Sequence, residues 1–76
     1  MNKVRRKELQ AILDKLEALQ EDQQAIQEQE EEYRDNMPEA FQETERYEKA
    51  DAACDALGDA ITALEEAAEN IGTAME

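Results

Sequence analysis

Two tyrosines and three cations flank the one proline of this chain: Tyr33 and Arg34 precede Pro38, and Arg46, Tyr47 and Lys49 follow it. An arginine fork pairs with phosphate and a tyrosine ring stacks on a base. A chain folded back at Pro38 therefore gathers the side chains that recognise a nucleotide messenger. The plainer role for the same residues is local: the arginines neutralise neighbouring acids and the tyrosines finish a core.

A second set of residues is acidic. Glu17, Glu21, Asp22, Glu28, Glu31 and Glu32 recur at helical spacing before the proline, joined by Asp35 and then by Asp51, Asp55 and Asp59. A rod with carboxylates at such intervals imitates the phosphate line of DNA and fits the basic groove of a nucleic-acid-binding protein. Its plainer reading is a solvated surface.

Catalysis and metal binding find little support. Serine and histidine are absent, and Cys54 lies on an apolar stripe rather than at a helix start, where a thiolate is favoured. Asp51, Asp55 and Asp59 drift around a polar face without apolar walls to raise a carboxyl pKa. With Gly58 they share letters with a calcium loop but lack its spacing, and the Glu-x-x-His pairs of carboxylate bundles need the missing histidine. The expectation is a non-enzyme with no metal or cofactor.

The elements that must position these residues are helices. Ala, Leu, Glu, Gln and Lys dominate, while strand-like runs of Val, Ile and Thr are absent. Leu9, Ile12, Leu13, Leu16, Leu19, Ile26 and Tyr33 fit one helical face, with Gln23 and Glu30 where leucine is expected. Asp35 to Glu39 breaks the pattern. Pro38 disfavours a helical Met37, so Asn36 or Met37 is expected as an N-cap, with Met37, Phe41 and Tyr33 clustering at the tip. The single domain 1–76 divides into helix 1 (2–35), a tip with a short helical turn (36–43), helix 2 (44–71) and a frayed end (72–76) that Gly72 begins. Thr44 is expected to cap a fresh helix start, the competing reading being continuous helix from Pro38. Gly58 falls mid-helix, where glycine costs about 1 kcal/mol against alanine, for no reason visible in the sequence.

Helix 2 carries two stripes. Tyr47, Ala50, Cys54, Leu57, Ile61, Leu64, Ala68, Ile71 and Met75 form a heptad series, and Ala53, Ala56, Ala60, Ala63, Ala67 and Ala74 a second one broken at Asn70. The two lie about 110° apart around the helix, so one partner helix cannot cover both. A chain of 76 residues with one cysteine is also near the size where a single core is marginal. The fold class expected is all-α: an antiparallel helical hairpin assembling into a homo-oligomeric helical bundle, in its simplest form a dimeric four-helix bundle. The alanine stripe is its expected interface, and folding back is expected to bring Leu19 near Cys54 and Leu57, and Arg5 and Arg6 beside Glu65, Glu66 and Glu69.

The net charge is −13, and because Lys3, Arg5, Arg6 and Lys7 are half of the eight cations, residues 8–76 alone carry −17. Such a body repels nucleic acid and anionic membranes and suits a basic protein. No apolar stretch reaches the length of a bilayer span, and a cytoplasmic location with a reduced thiol is expected.

The run Tyr33-Arg34-Asp35-Asn36-Met37-Pro38-Glu39-Ala40-Phe41-Gln42-Glu43-Thr44-Glu45-Arg46, after the basic Asn2 to Lys7 start, resembles a group of short acidic proteins of tailed phages and prophages. The likeness covers nearly the whole length. Where related tips have Leu, and sometimes Gly-Ser, this chain has Phe41 and Glu43-Thr44. The resemblance implies a phage accessory protein and, by context, a counter-defence inhibitor in the host cytosol. Three functions are thus expected in order: stoichiometric binding of a basic host protein through the acidic face, sequestration of a nucleotide messenger at the Arg/Tyr tip, and a part in virion assembly.

Overall fold

The computed structural model describes all 76 residues and contains no strand. Helix α1 runs Lys3–Asp35, a 3-10 turn spans Glu39–Phe41, and helix α2 runs Glu45–Ala74, folded back on α1 as an antiparallel hairpin. The result is a rod of 59 × 15 × 12 Å.

Local chemistry explains where each helix begins and ends. The Asn2 side chain accepts a hydrogen bond from the Arg5 N–H at 2.8 Å and so caps α1. Asn36, expected at an N-cap, instead closes α1, its N–H donating to the carbonyls of Glu32 and Arg34. Pro38 takes an extended ψ of 145° and stands before the 3-10 turn. Thr44, also extended, directs its hydroxyl to the Phe41 carbonyl rather than to the free amides of α2, which separates the turn from the helix. Glu45 and Glu48 in the first turn favour the α2 dipole. At the far end, α2 runs through Gly72 to Ala74. A left-handed glycine cap requires positive φ, and no residue here has it.

The seam between the helices follows the heptad rule on both sides. On α2 its rows are Tyr47, Ala50, Cys54, Leu57, Ile61, Leu64, Ala68, Ile71 and Met75, all half-buried or buried. On α1 they are Leu9, Leu13, Leu16, Gln20, Gln23, Gln27, Glu30 and Arg34, each half-buried. The seam is therefore apolar near the chain ends and polar towards the tip. Only Met37, Ala50 and Cys54 fall below one-tenth exposure, and two of these lie in the polar half. Long stems of Gln and Arg cover small residues well while their heads reach solvent or a partner. Gln23 donates to the Leu57 carbonyl at 3.3 Å, Arg34 donates to Asp51 at 3.0 Å, and no buried side-chain polar atom lacks a partner.

This phase leaves out residues that the sequence places on the same packing face. Ile12, Leu19, Ile26 and Tyr33 remain 45%, 54%, 56% and 49% exposed. They recur at strict steps of seven, one position ahead of the seam rows Leu13, Gln20, Gln27 and Arg34, and a single partner helix covers only the seam rows. The two cross-helix hydrogen bonds also set the register. Leu19 lies level with Ile61 and Leu64, one turn or more past Leu57 and Cys54, and Arg5 and Arg6 lie beyond Glu69, towards the end of α2. The three ion pairs of the chain, Arg34–Asp35, Arg34–Asp51 and Glu45–Lys49, involve none of the N-terminal cations.

Written as heptads abcdefg with the seam at a and d, an antiparallel pair has e rows along one flank and g rows along the other. The open Ile12 stripe is the g row of α1. Ala53, Ala60, Ala67 and Ala74 are the g row of α2, with Ala56 and Ala63 beside it at c. Both stripes thus border the same flank. The e rows, Glu17, Gln24 and Glu31 against Asp51, Gly58, Glu65 and Gly72, make the opposite flank polar.

Gly58 faces Gln27 across that polar flank. A Cβ built there would meet Gln27 Nε2 at 3.6 Å, an ordinary van der Waals separation. Gly58→Ala is therefore expected to raise stability by about 0.5–1 kcal/mol through helix propensity. Thermal denaturation followed by circular dichroism checks this, and a lowered midpoint would show that Gln27 needs the space.

Candidate functional site

A groove opens on each flank of the seam. On the g flank, at the tip, a cleft of about 280 Å³ is lined by Tyr33, Asn36, Met37, Pro38, Phe41 and Arg46. Pro38 turns the chain so that Met37 fills the seam end at 8% exposure while Phe41 stays 53% exposed over the cleft. The Pro38 carbonyl accepts from the Phe41 N–H at 2.8 Å, fixing that turn. A flat apolar wall beside one guanidinium is the outcome.

The five tip residues singled out by the sequence do not all meet there. Tyr33 and Arg46, both at g positions, line the cleft. Arg34 points the other way: its Nε donates to Asp35 and its NH1 to Asp51, each at 3.0 Å. The hydrogen bond to Asp35, opposed by desolvation, holds the guanidinium above its ordinary pKa, so the charge is permanent. Tyr47 is half-buried in the seam, and Lys49 is exposed beside Glu45 at 3.2 Å. One tyrosine and one arginine remain for a ligand, with Phe41, which the sequence placed only in an apolar cluster.

On the e flank, a groove of about 270 Å³ is lined by Gln24, Gln27, Glu28, Glu31, Gly58, Ile61 and Glu65. The missing side chain of Gly58 contributes to its opening. Of the six acidic residues named from sequence, Glu17 and Glu31 occupy e positions, Glu21 and Glu28 adjoining b positions, and Glu32 position f. Asp22, at c, belongs to the other side. All are exposed except Glu31, which is half-buried and accepts a hydrogen bond from Gln27 at 3.1 Å. None of the six forms an ion pair, so their field is uncompensated. No three acidic or cysteine side chains converge as a metal-ligand set.

The alanine stripe is bare within one chain: Ala53, Ala60 and Ala67 are half-exposed, and Ala56, Ala63 and Ala74 are exposed. No helix is long and apolar enough to cross a membrane. No family model matches the chain, and neither a curated protein nor a solved structure matches it.

Cys54 is 5% exposed in the polar half of the seam. Burial raises its thiol pKa above the ordinary 9.0, the nearby Arg34 charge opposes that rise, and Glu31, Glu30 and Asp51 add to it. The folded state thus retains the thiol proton more firmly than the unfolded chain. Stability is fully present below the unfolded thiol pKa and falls as pH rises through the interval up to the folded value. Denaturation midpoints of the native chain should drop above about pH 9 more steeply than those of Cys54→Ala. Parallel curves for the two proteins would remove Cys54 as the cause.

Proposed function

We propose that this protein acts by stoichiometric binding rather than catalysis, as a homo-oligomeric helical bundle whose acidic flank occupies the basic surface of a host nucleic-acid-associated or defence protein. The observation that carries this reading is the division of the seam into two unlike flanks. The apolar flank is suited to self-association, which leaves the carboxylates Glu17, Glu21, Glu28, Glu31 and Glu32 turned outward without cationic partners. A partner supplies the missing positive charge. The setting proposed is a phage or prophage accessory protein at work in the host cytosol, a context that rests on the likeness of the tip sequence.

The experiment is recovery of the partner from host lysate on immobilised native protein, compared with a triple variant Glu17→Lys, Glu28→Lys, Glu31→Lys. Electrostatic capture should weaken as salt is raised and disappear in the variant. A partner retained equally by both proteins at high salt would overturn the acidic-face reading.

The cleft between Tyr33 and Arg46 favours a second reading, sequestration of a nucleotide messenger. The ring supplies a stacking surface and the guanidinium a phosphate partner. Calorimetry against a panel of cyclic nucleotides should then give heat that Arg46→Ala abolishes. Absence of heat with every member would dismiss this reading.

A further inference from the structure

We infer that a second copy of this chain covers the open apolar flank head to tail, with the two-fold axis crossing the rod level with Leu19 and Ala63. The inference rests on the homo-oligomeric part of the function proposed above and adds to it the orientation and the contacting residues.

A compact monomer of 8.7 kDa exposes about 4,700 Å², whereas this hairpin exposes 5834 Å². The surplus, about 1,100 Å², exceeds the roughly 800 Å² that each partner buries in a stable interface of standard size. Large apolar side chains stand open on the Ile12 to Tyr33 stripe, beside the alanines of α2.

An isologous contact requires a patch to map onto itself under a half-turn. A half-turn about an axis across the rod lays α1 on the α1 of the second copy and α2 on its α2, each pair antiparallel. The g row of α1, namely Arg5, Ile12, Leu19, Ile26 and Tyr33, is evenly spaced about Leu19, so Leu19 meets its own copy, Ile12 meets Ile26 and Arg5 meets Tyr33. The α2 stripe behaves alike: Ala60 meets Ala67, Ala53 meets Ala74, and Ala63 at position c meets itself. The cross-helix register places Leu19 level with Leu64, so both stripes are centred at the same height along the rod. Two independent helices share one centre of symmetry.

Charge chooses between the two orientations that bury this flank. With tips together, the cations Lys3, Arg5, Arg6 and Lys7 of both copies crowd one end and the acidic halves crowd the other. Head to tail, the basic end of each copy shares a height with the acidic Glu28 to Asp35 end of the other while those carboxylates stay on the outward flank, and Lys15 lies opposite Asp22 at c positions. The N-terminal cations need such a partner, because they stand at the positive end of the α1 dipole without an acidic residue in the first turn and without an ion pair. The same rotation carries Arg5 over Tyr33 and brings the exposed Met1 and Val4 to the tip cleft at Met37 and Phe41. Each copy's start therefore borders the other copy's cleft.

Light scattering gives the mass, and a spin label at Glu43→Cys gives the orientation; Cys54 is buried, and Cys54→Ala supplies a second background free of it. The expected result is twice 8.7 kDa with a label-to-label distance comparable to the 59 Å rod. Twice the mass with a short distance would overturn the head-to-tail arrangement and leave self-association standing. A monomer would overturn both. Independently, Leu19→Cys treated with an added two-electron thiol oxidant should form a disulfide-linked dimer in either background, and its failure to cross-link in a protein of dimer mass would also sink the proposed axis.

Discussion

Two helices laid side by side remove from water only the rows that face each other, and each helix of this chain carries apolar residues on two rows. Everything else in the structure follows from which rows the seam takes. On α2 it takes the row that runs from Tyr47 to Met75 and leaves the alanines. On α1 it takes Leu9, Leu13 and Leu16 and then continues in phase through Gln20, Gln23, Gln27 and Glu30 to Arg34, leaving Ile12, Leu19, Ile26 and Tyr33 outside. A straight heptad seam cannot change rows midway without unwinding the helix, so the phase chosen at the leucines commits the polar residues further along. Those residues are tolerable there because Ala50 and Cys54 are small and the long polar side chains find partners.

The polar half of the seam has a chemical consequence. Arg34, drawn inward to Asp51, is withdrawn from the tip, and the ligand set that its sequence position promises is halved. Cys54, under the same group, is shielded from solvent and held as a thiol, which separates it from the exposed, low-pKa cysteines that react. The residues that look most reactive in the sequence are thus occupied in holding the hairpin closed. What remains available is surface: an apolar flank, an acidic flank and one cleft.

Much of the fold is legible in the sequence because it depends on local chemistry. Helix formers without strand signals, a proline between two periodic segments and the heptad of α2 define the hairpin and its break. The phase of α1 is not legible in this way. Seven apolar residues on a broad arc are compatible with two neighbouring rows, and the choice depends on packing against α2, a nonlocal term. The same limit applies to the site. Tyr33 and Arg46 meet because both fall on the g row, while Arg34 and Tyr47, one residue later, fall on the seam. A single step along a helix turns a side chain by about 100°, enough to move it from one flank to the interior. Gly72 illustrates a different gap: glycine after an apolar run commonly ends a helix, but it does so by adopting positive φ, and nothing in α2 requires that conformation here.

With 3 of 76 residues buried, the hairpin has little core to hold it as an isolated unit. A self-complementary apolar flank changes the thermodynamic problem, since burial that one chain cannot supply becomes available at the contact between two. In the proposed dimer folding and association are linked, and stability depends on protomer concentration. That linkage constrains any partner. A protein that binds the acidic flank would leave the proposed apolar contact in place and add its own binding energy to the stability of the proposed bundle. In the proposed dimer, a protein that binds the apolar flank must first displace the second copy, so its affinity is reduced by the whole energy of self-association. The geometry of the two flanks therefore favours the carboxylate side as the one presented outward, by competition as well as by charge.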